Sequence, residues 1–294
     1  MQNEKNPASK YKAKNHLSPS PVYLQGVGRL GNVMFQLVSA LGIANRSHRN
    51  LIVDNKTVEY LRTVFTLSHG QLFTVGNVPN GTIMAHQKQG PFSVRKDFLP
   101  LPYGPVRITG YWQNYILWQN MTTSVRQLFT VADETSTKTR AFIRNIKQEH
   151  QDCTVIGIHV RRGDITQKRF YRLGFRMPNV TYLMNAMNYF RHKYHNVHFI
   201  VCSEGFDWCK ENLAILPNVT LHHGSVSEDF SVLVECDHMI MTRGTFGWWA
   251  SWLNGGEVVY FDKPFGGNFL KRNDLMKLTY FPKSWRPMNE YASS

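Results

Sequence analysis

The sequence contains no apolar run long enough to cross a membrane. A membrane-spanning helix needs about 18 consecutive apolar residues, and no stretch of the 294 residues approaches that length. Residues 1–21 are polar and carry four lysines with no apolar run behind them, so they match neither a signal peptide nor an anchor. We expect this segment to be a disordered lead or the remnant of a stem.

Several catalytic signatures are missing as well. There is no strict Asp-x-Asp, the pattern with which many nucleotide-sugar enzymes hold a metal ion on a diphosphate, and Glu235-Cys-Asp237 comes nearest to it. The 12 His and 4 Cys show no paired zinc-type spacing. No P-loop and no Gly-x-Ser-x-Gly elbow occurs. We therefore expect no metal site and neither P-loop nor serine-hydrolase chemistry.

Acidic residues are scarce relative to basic ones. The 34 Lys and Arg outnumber the 20 Asp and Glu, and the formal net charge is +14. This balance favours anionic partners, and nucleic acid, an anionic membrane surface and phosphate-bearing small molecules all satisfy it. Charge alone does not choose among them. The hydrophobic content of 42% is that of a globular chain.

Cysteines and glycosylation sequons point to the secretory pathway. The four cysteines permit three complete disulfide pairings, and buried free thiols are an equal alternative. Six Asn-x-Ser/Thr sequons have no proline in the middle. These N-glycosylation candidates are Asn45, Asn55, Asn80, Asn120, Asn179 and Asn218.

The order of apolar segments predicts an α/β fold. Residues 155–160 form an apolar run typical of a parallel strand that is buried on both faces. Strands and helices then alternate at short spacing to Phe261, which indicates βαβ crossovers. The first half begins with a strand, a glycine turn and a helical pattern, and becomes irregular between Lys56 and Tyr115. We expect an N-terminal α/β lobe over residues 22–150 and a Rossmann-like lobe over 151–294.

A glycine-rich turn follows the first predicted strand. Gly26-Val-Gly28-Arg-Leu-Gly31 matches Gly-x-Gly-x-x-Gly, and Asp54 ends the next strand, where a ribose-binding acid is expected. An NAD-linked oxidoreductase is therefore one interpretation. Arg29 and Asn32 add polar side chains that a plain dinucleotide-binding loop does not require. An anion site at a helix N-terminus and a simple tight turn are the other interpretations.

Two adjacent arginines follow the buried strand in His159-Val-Arg161-Arg162-Gly-Asp164. Ligands of open α/β sheets bind beyond the carboxyl ends of the strands. A guanidinium fork matches phosphate oxygens two at a time, so the pair predicts a phosphate site. The alternative is a structural network with nearby acids. The Arg-Gly-Asp tripeptide here is a coincidence, because an adhesion motif works from an exposed loop tip.

Two later strand ends add polar groups at the same edge. Ser203 follows one strand and is either a ligand contact or an N-cap. Gly244, Thr245 and Phe246 follow another strand and open a helix, whose free N–H groups predict a second anion site. The tryptophans on that helix, Trp248, Trp249 and Trp252, are expected in the core rather than as sugar platforms.

Four segments together resemble the galactoside α-1,2-fucosyltransferase family, animal members in particular. They are Gly28-Arg-Leu-Gly-Asn32, His159-Val-Arg-Arg-Gly-Asp164, Trp208-Cys-Lys-Glu-Asn212 and Gly244-Thr-Phe-Gly-Trp248-Trp249, and their order agrees from Val22 to Phe261. The His-x-Arg-Arg-Gly-Asp segment is shared with α-1,6- and some bacterial fucosyltransferases. Another fucosyl linkage, α-1,6 or protein-linked, is therefore an alternative.

The resemblance implies a two-lobed, GT-B-type glycosyltransferase fold and an inverting reaction. GDP-β-L-fucose would be the donor substrate, galactose-terminated glycans the acceptors, and no metal or other cofactor would be needed. Nucleic acid would not be a partner. Animal members are Golgi proteins with an N-terminal membrane anchor, so membrane association would need an anchor that this sequence does not show.

The resemblance also assigns site residues. Arg161 and Arg162 would bind the diphosphate, and Arg161 would assist catalysis. Asp164 is the candidate base, with the alternative of orienting the arginines. The further donor-binding candidates are Ser203, Asp229, Gly244, Thr245, Phe246, Gly28, Arg29, Gly31 and Asn32. Val33 departs from the Gln that is common in the family, and the loop from Ile165 to Pro178 is unusually rich in Arg and aromatics, which leaves the acceptor open.

Overall fold

The computed structural model describes residues 20–68, 70, 72–87, 90–92 and 100–291. It contains two parallel β-sheets with helices packed on their faces, so the expected α/β fold is confirmed. The predicted lead at residues 1–21 lies outside these ranges apart from its last two residues. No helix in the described ranges is both long and apolar enough to span a bilayer.

The first sheet has five parallel strands in the order β3-β2-β1-β5-β4. They are β1 (Val22–Leu24), β2 (Leu51–Val53), β3 (Thr74–Val75), β4 (Ile83–His86) and β5 (Val106–Thr109). Leu24 is aligned with Val53 and with Ile108, so the chain leaves these three strands at one edge of the sheet. The strand order reverses at β1, and the glycine-rich turn follows β1 at the position where open α/β sheets bind ligands.

The second sheet has six parallel strands in the order β11-β10-β9-β6-β7-β8. They are β6 (Thr154–His159), β7 (Val197–Cys202), β8 (Val219–His222), β9 (His238–Met241), β10 (Val258–Phe261) and β11 (Arg286–Met288). His159 pairs with Cys202 on one side and Met241 on the other. The strand order reverses between β6 and β9, so the segments after His159 and Met241 meet at the second ligand-binding crevice.

Helices connect and cover the strands. In the described residues they are α1 (Leu30–Arg46), α2 (Asn55–Arg62), α3 (Thr122–Leu128), α4 (Asp133–Glu149), α5 (Lys168–Arg172), α6 (Val180–Lys193), α7 (Phe206–Asn212), α8 (Val226–Glu235), α9 (Thr245–Asn254) and α10 (Lys271–Thr279). The prediction of an irregular region from Lys56 to Tyr115 is wrong, because it contains most of α2 and all of β3, β4 and β5. These strands have two to four residues, and β3 and most of β4 are exposed, so no apolar run marks them.

The larger of two hydrophobic cores spans both halves and includes the contact between α1 and α9, while the other lies in the second half. The apolar stripe of α1 is confirmed, but α1 is buried on almost every side from Leu30 to Ala44. Its second face packs against α9, where Phe35 contacts the rings of Trp248 and Trp249 at centroid distances of 4.6 and 5.0 Å. Both indoles are fully buried, which confirms their predicted place in the core.

Helix α4 packs on the second half of the molecule. Thr139 forms a hydrogen bond with Ser231 of α8 at 2.6 Å, Arg140 pairs with Glu235 at 3.1 Å, and Lys147 pairs with Asp237 at 2.8 Å. A lobe boundary at residue 150 stays a prediction. These contacts favour a boundary before α4 instead.

The cysteines and sequons occupy opposite environments. All four cysteines are free and buried, so the free-thiol alternative is correct, and burial raises the pKa of the Cys153 and Cys209 thiols. All six sequon asparagines are exposed. Asn179 also caps α6, because its side chain accepts from the Tyr182 N–H at 3.1 Å. Glycosylation of these asparagines stays a prediction.

Candidate functional site

Arg161 joins the ends of β6 and β9. Its backbone N–H donates to the Thr242 hydroxyl at 2.8 Å, which fixes the chain after β6 against the chain after β9. The Arg161 guanidinium forms ion pairs with Asp164 and Glu204 and donates to the Arg162 carbonyl at 2.6 Å. Its side chain is 15% exposed, and burial lowers its pKa, although the guanidinium stays charged. A buried fork of this kind is suited to a bidentate anion.

Asp164 connects the two halves electrostatically. Besides Arg161, its carboxylate lies 3.7 Å from the Arg29 guanidinium, which comes from the glycine-rich turn of the first sheet. Desolvation acts to raise the pKa of the Asp164 carboxyl, but the hydrogen bond and charge of Arg161 and the charge of Arg29 outweigh it, and the pKa is lowered. Asp164 is thus an ionised, weakly basic carboxylate held between two arginines.

Arg162 is held by an aromatic ring. Its guanidinium lies 3.9 Å from the centroid of the Trp208 ring on α7, a cation–π contact. Burial lowers its pKa. Trp208 thereby gains a physical role that its presence in the Trp-Cys-Lys-Glu-Asn segment alone did not reveal. The sequence did not predict that Glu204 pairs with Arg161, because their distance depends on how the turn after β7 folds.

The amino end of α9 lies against Arg161. Gly244 precedes the helix with φ of 91°, a left-handed conformation that favours glycine, and an added Cβ there would lie 3.4 Å from Arg161 Cδ. The first N–H groups of a helix have no acceptor within it. Those of Thr245 and Phe246 directly follow Gly244, which lies against Arg161, and a helix N-terminus and a guanidinium both favour an anion.

Asn32 and Gly31 bring the glycine-rich turn to the same place. The Asn32 Oδ1 accepts from the Thr245 hydroxyl at 3.1 Å and from Gln113 Nε2 at 2.9 Å. Gly31 packs directly on α9, since an added Cβ would lie 2.5 Å from the Thr245 carbonyl carbon. Gly28 and Arg29 are exposed in the turn itself. The structure thus brings seven of the predicted site residues together at one crevice, namely Arg29, Gly31, Asn32, Arg161, Asp164, Gly244 and Thr245.

Asp54 faces the turn rather than open solvent. It is buried and hydrogen-bonded to Thr57, whose hydroxyl accepts from the Gly26 N–H at 2.7 Å. This pairing holds the glycine turn at the start of α2. The carboxylate that suggested a ribose site thus stabilises the turn.

Ser203 and Asp229 lie at the neighbouring strand ends with other partners. The Ser203 hydroxyl donates to the Val160 carbonyl at 2.7 Å and accepts from the Gly205 N–H at 2.9 Å, so it stabilises the turn after β7. Asp229 accepts from His222 Nδ1 at 2.8 Å and from the Gly224 N–H at 3.0 Å. Donor binding by either residue stays a prediction.

Cys202, His222 and Asp229 form the one group in the described residues whose side chains can hold a metal. Their ligand atoms lie within 4.8 Å of one another. Burial raises the pKa of the Cys202 thiol well above its usual value, so the thiol is protonated here. The His222–Asp229 hydrogen bond also accounts for both polar groups without an ion. We assign no metal to this cluster.

His159 is a buried neutral imidazole beneath the arginines. Burial, aided by the charge of Arg161, lowers its pKa to about 3. Its ring centroid lies 5.2 Å from that of Phe246 with the ring planes tilted by 36°, and its Nδ1 has no hydrogen-bond partner in the described part of the chain. The imidazole supports Phe246 at the start of α9 and carries no charge at neutral pH.

Comparison with known proteins identifies the class. The sequence profile of glycosyl transferase family 11 matches residues 23–280, and the chain belongs to this family. Galactoside alpha-(1,2)-fucosyltransferase 2 of Sus scrofa is 30% identical over 265 residues, which cover 83% of this chain and 74% of the relative. The enzyme of that name from Hylobates lar is 28% identical over 268 residues, 86% of this chain and 75% of the relative. The expected resemblance is confirmed.

Solved structures agree on the fold. Fucosyltransferase NodZ from Bradyrhizobium superposes with a TM-score of 0.52 at 15% identity, covering 86% of this chain and 98% of NodZ. POFUT1 in complex with GDP superposes with a TM-score of 0.54 at 11% identity, covering 85% of this chain and 99% of POFUT1. The two-lobed glycosyltransferase fold is confirmed, and family membership rejects the NAD-linked interpretation of the glycine-rich turn.

Proposed function

We propose that this protein transfers L-fucose from GDP-β-L-fucose to O2 of a terminal galactose on glycans, with inversion at the anomeric carbon. The observation that carries the proposal is the meeting of the Arg161 fork with the amino end of α9 at the strand reversal of the second sheet. The family and the names of its galactoside-specific relatives support fucose transfer to galactose. NodZ, which has the same fold, has been crystallised with GDP and soaked with GDP-fucose.

The reaction requires stabilisation of a leaving diphosphate. The acceptor oxygen forms a bond to C1 of fucose while the bond from C1 to the β-phosphate oxygen breaks, and GDP leaves with that electron pair. Diphosphate oxygens compete with Asp164 and Glu204 for the Arg161 fork. Arg161, Arg162 and the α9 N–H groups then stabilise the negative charge that develops on the leaving group.

The proton of the acceptor hydroxyl needs little assistance. A transition state with much oxocarbenium character forms before the hydroxyl has become strongly acidic, so basic catalysis contributes little. Asp164 lies between Arg29 and Arg161 with a lowered pKa. We infer that Asp164 mainly positions Arg161, and that the proton passes to solvent or to the departing phosphate.

The remaining donor contacts come from both halves. We infer that Asn32 and Thr245 hold the glycine-rich turn against α9, so that Gly28, Arg29 and Gly31 close one side of the nucleotide-sugar site. Ser203, Asp229 and Phe246 would complete the other side. The missing Asp-x-Asp and the three arginines of the site support our proposal that the reaction needs no metal.

The resemblance to galactoside fucosyltransferases supports a proposal for the compartment. Galactose-terminated glycans are built in the secretory pathway, so we propose that the protein acts in the Golgi lumen. The six exposed sequons are consistent with that location. A shift in mobility after glycosidase treatment of the protein expressed in an animal cell checks it.

A single assay tests the reaction. The enzyme is incubated with GDP-fucose and with lactose, N-acetyllactosamine or a chitobiose-core glycan, and the product linkage is determined by NMR. Fucose α-linked to galactose O2 is expected. Fucose on N-acetylglucosamine O6 would contradict the galactoside assignment and retain the donor, whereas binding of NAD without GDP-fucose turnover would contradict both.

A further inference from the structure

A basic and aromatic surface lies beside the donor site. We call it the platform, and it consists of residues 168–176, which contain α5, and residues 264–272. The two segments are joined by a bridge between Phe175 and Phe265 and by the hydrogen bonds Arg176 N–H to Pro264 O at 2.9 Å and Gly266 N–H to Gly174 O at 2.8 Å. The platform is therefore one ordered unit rather than two separate loops.

Arg243 anchors the platform from below. It is 9% exposed and donates to the carbonyls of Arg176 and Pro264 at 3.0 and 2.9 Å. Its guanidinium lies 4.4 Å from the Phe175 ring centroid and 5.4 Å from that of Phe265. It forms no ion pair with an acid in the described ranges. Burial, followed by the charge of Arg161, lowers its pKa to about 9, so it stays charged at neutral pH.

The outer face of the platform is strongly cationic. The two segments contain no acidic residue and six basic ones, which are Lys168, Arg169, Arg172, Arg176, Lys271 and Arg272. All are exposed except Arg176, which is half-buried, and none pairs with an acid in the described part of the chain. These unpaired charges are complementary to a negatively charged partner.

Aromatic rings orient the arginines. Arg176 lies 4.1 Å from the Tyr171 ring centroid, Arg272 lies 4.6 Å from that of Phe269, and Arg169 lies 4.9 Å from that of Phe170. A stacked guanidinium loses little freedom when it forms a bidentate bond with a carboxylate or sulfate. The Tyr171 side chain is also 64% exposed, which leaves ring surface for a sugar face.

The platform directly adjoins the residues of the proposed donor site. Its first residue, Lys168, follows Asp164 by four positions, and its anchor Arg243 directly precedes Gly244. An acceptor oxygen has to come within about 3 Å of the reacting carbon. A glycan bound there therefore extends over the neighbouring surface.

We propose that the platform binds an anionic group, a sulfate or a carboxylate, on the acceptor glycan. This inference rests on the proposed fucosyl transfer and narrows its acceptor to acidic galactosides. Arginines make up four of the six cations, and a guanidinium fork can bind two oxygens of a planar carboxylate or of a tetrahedral sulfate. The short extent of the platform and its continuity with the donor site favour a glycan over a long polyanion.

The test compares three acceptors: lactose, lactose sulfated at galactose O6, and β-galactosyl-glucuronic acid. The value of kcat/KM is measured for each at low and high salt, and binding of each sugar is measured separately by calorimetry. We expect one or both acidic acceptors to exceed lactose by about tenfold at low salt and less at high salt. The acidic acceptor whose kcat/KM exceeds that of lactose shows whether sulfate or carboxylate is the recognised group.

Variants assign the preference to the platform. In the triple variant Arg169→Gln/Arg172→Gln/Arg272→Gln the ratio of acidic to neutral kcat/KM should fall towards one, and calorimetric binding of the acidic sugars should weaken. Arg144→Gln, an exposed cation on α4, should keep the wild-type ratio.

Two results would overturn the inference. One is equal kcat/KM and equal binding for acidic and neutral sugars, and the other is an unchanged ratio in the triple variant. Tight, salt-sensitive binding of a short RNA without binding of the acidic sugars would make the platform a nucleic-acid surface and would also overturn it. If no acceptor were fucosylated, the proposed function would be contradicted. The calorimetric measurements of sugar binding would still show which ligand the platform binds.

Discussion

The Thr245 hydroxyl donates to Asn32 Oδ1 at 3.1 Å and so ties the start of α9 to the start of α1. Asn32 follows β1 of the first sheet, and Thr245 follows β9 of the second sheet, 213 positions later in the chain. The bond therefore fixes how the two halves meet beside Arg161. The same Asn32 oxygen also accepts from Gln113, so its position is set from both sides.

Replacing Thr245 with Val should lower catalytic efficiency as well as stability. The substitution keeps the shape and removes one hydrogen bond worth about 1 kcal/mol, which corresponds to about a fivefold loss in kcat/KM with GDP-fucose. Thr63→Val, which removes a local bond to the Tyr60 carbonyl at an exposed helix end, is the control and should keep full activity. An unaffected Thr245→Val enzyme would show that this contact between the halves has no catalytic consequence.

Replacing Gly31 with Ala should destabilise the whole protein. An added Cβ would lie 2.5 Å from a backbone carbonyl carbon of α9, and backbone cannot rotate away as a side chain can. Separating two packed helices costs about 3 kcal/mol, or a fall in Tm of about 6 °C. The fall in Tm is measured by thermal unfolding of protein that carries no N-linked glycans.

Asn45→Ala, at the exposed end of the same helix, is the matched control for Gly31→Ala and should leave Tm nearly unchanged. If Gly31→Ala unfolded at the wild-type temperature, the close approach of α1 and α9 would be incorrect.

The sequence predicts the second sheet better than the first. Its strands are runs of buried apolar residues, such as Val155 to His159, bounded by turns, and the chain order gives the alternation with helices. Strands β3 and β4 escaped prediction because their residues are mostly exposed and are held only by the neighbouring strand. Local pattern carries no information about such pairing.

The motifs that form the site could be predicted from the sequence, but the contacts between their side chains could not. The charges of Arg161 and Arg162 and the helix start at Thr245 follow from strand ends, where ligands bind. The ion pair with Glu204, the stacking of Arg162 on Trp208 and the burial of Arg243 depend on how separate loops fold together. The near-complete burial of α1 was missed for the same reason, because its second face is covered by a helix more than 200 residues away in the chain.

The two arginines should be essential for rate. Arg161→Met or Arg162→Met is expected to cost about 3 kcal/mol of transition-state stabilisation, or about a hundredfold in kcat, because each removes a charge from the leaving diphosphate. Arg161→Lys keeps the charge and loses the fork, so it should recover only part of the rate. Single-turnover kinetics measure the chemical step.

Circular dichroism and Tm should show that these variants are folded, and Arg144→Gln serves as the control for loss of one positive charge. Full activity in Arg161→Met or Arg162→Met would remove that residue from the diphosphate site.

Chelation should leave the activity intact. The missing Asp-x-Asp and the arginine-rich crevice motivate this expectation, since guanidinium groups and a helix terminus supply the charge that a metal otherwise provides. Fucosyl transfer is measured after dialysis against EDTA and again with added manganese. Loss of turnover with EDTA and its return with manganese would contradict metal-free catalysis.

Asp164 should position Arg161 rather than accept the acceptor proton, and the pH dependence of kcat/KM distinguishes the two roles. The lowered pKa keeps this carboxylate ionised above its ordinary range of about 4. Its ion pairs therefore stabilise the fold at neutral pH and are lost only as the pH falls through the lowered pKa. Because Asp164 does not titrate between about pH 5 and 8, a positioning role predicts no acid limb from it in that range.

Asp164→Asn should then lower kcat/KM by a similar factor at every pH in the range, since the Arg161 fork is less well held. Glu134→Gln, which replaces a surface acid on α4, is the control and should have no effect. If Asp164 were the base, Asp164→Asn would abolish nearly all turnover throughout this range, and any acid limb that the wild-type profile showed would disappear with it.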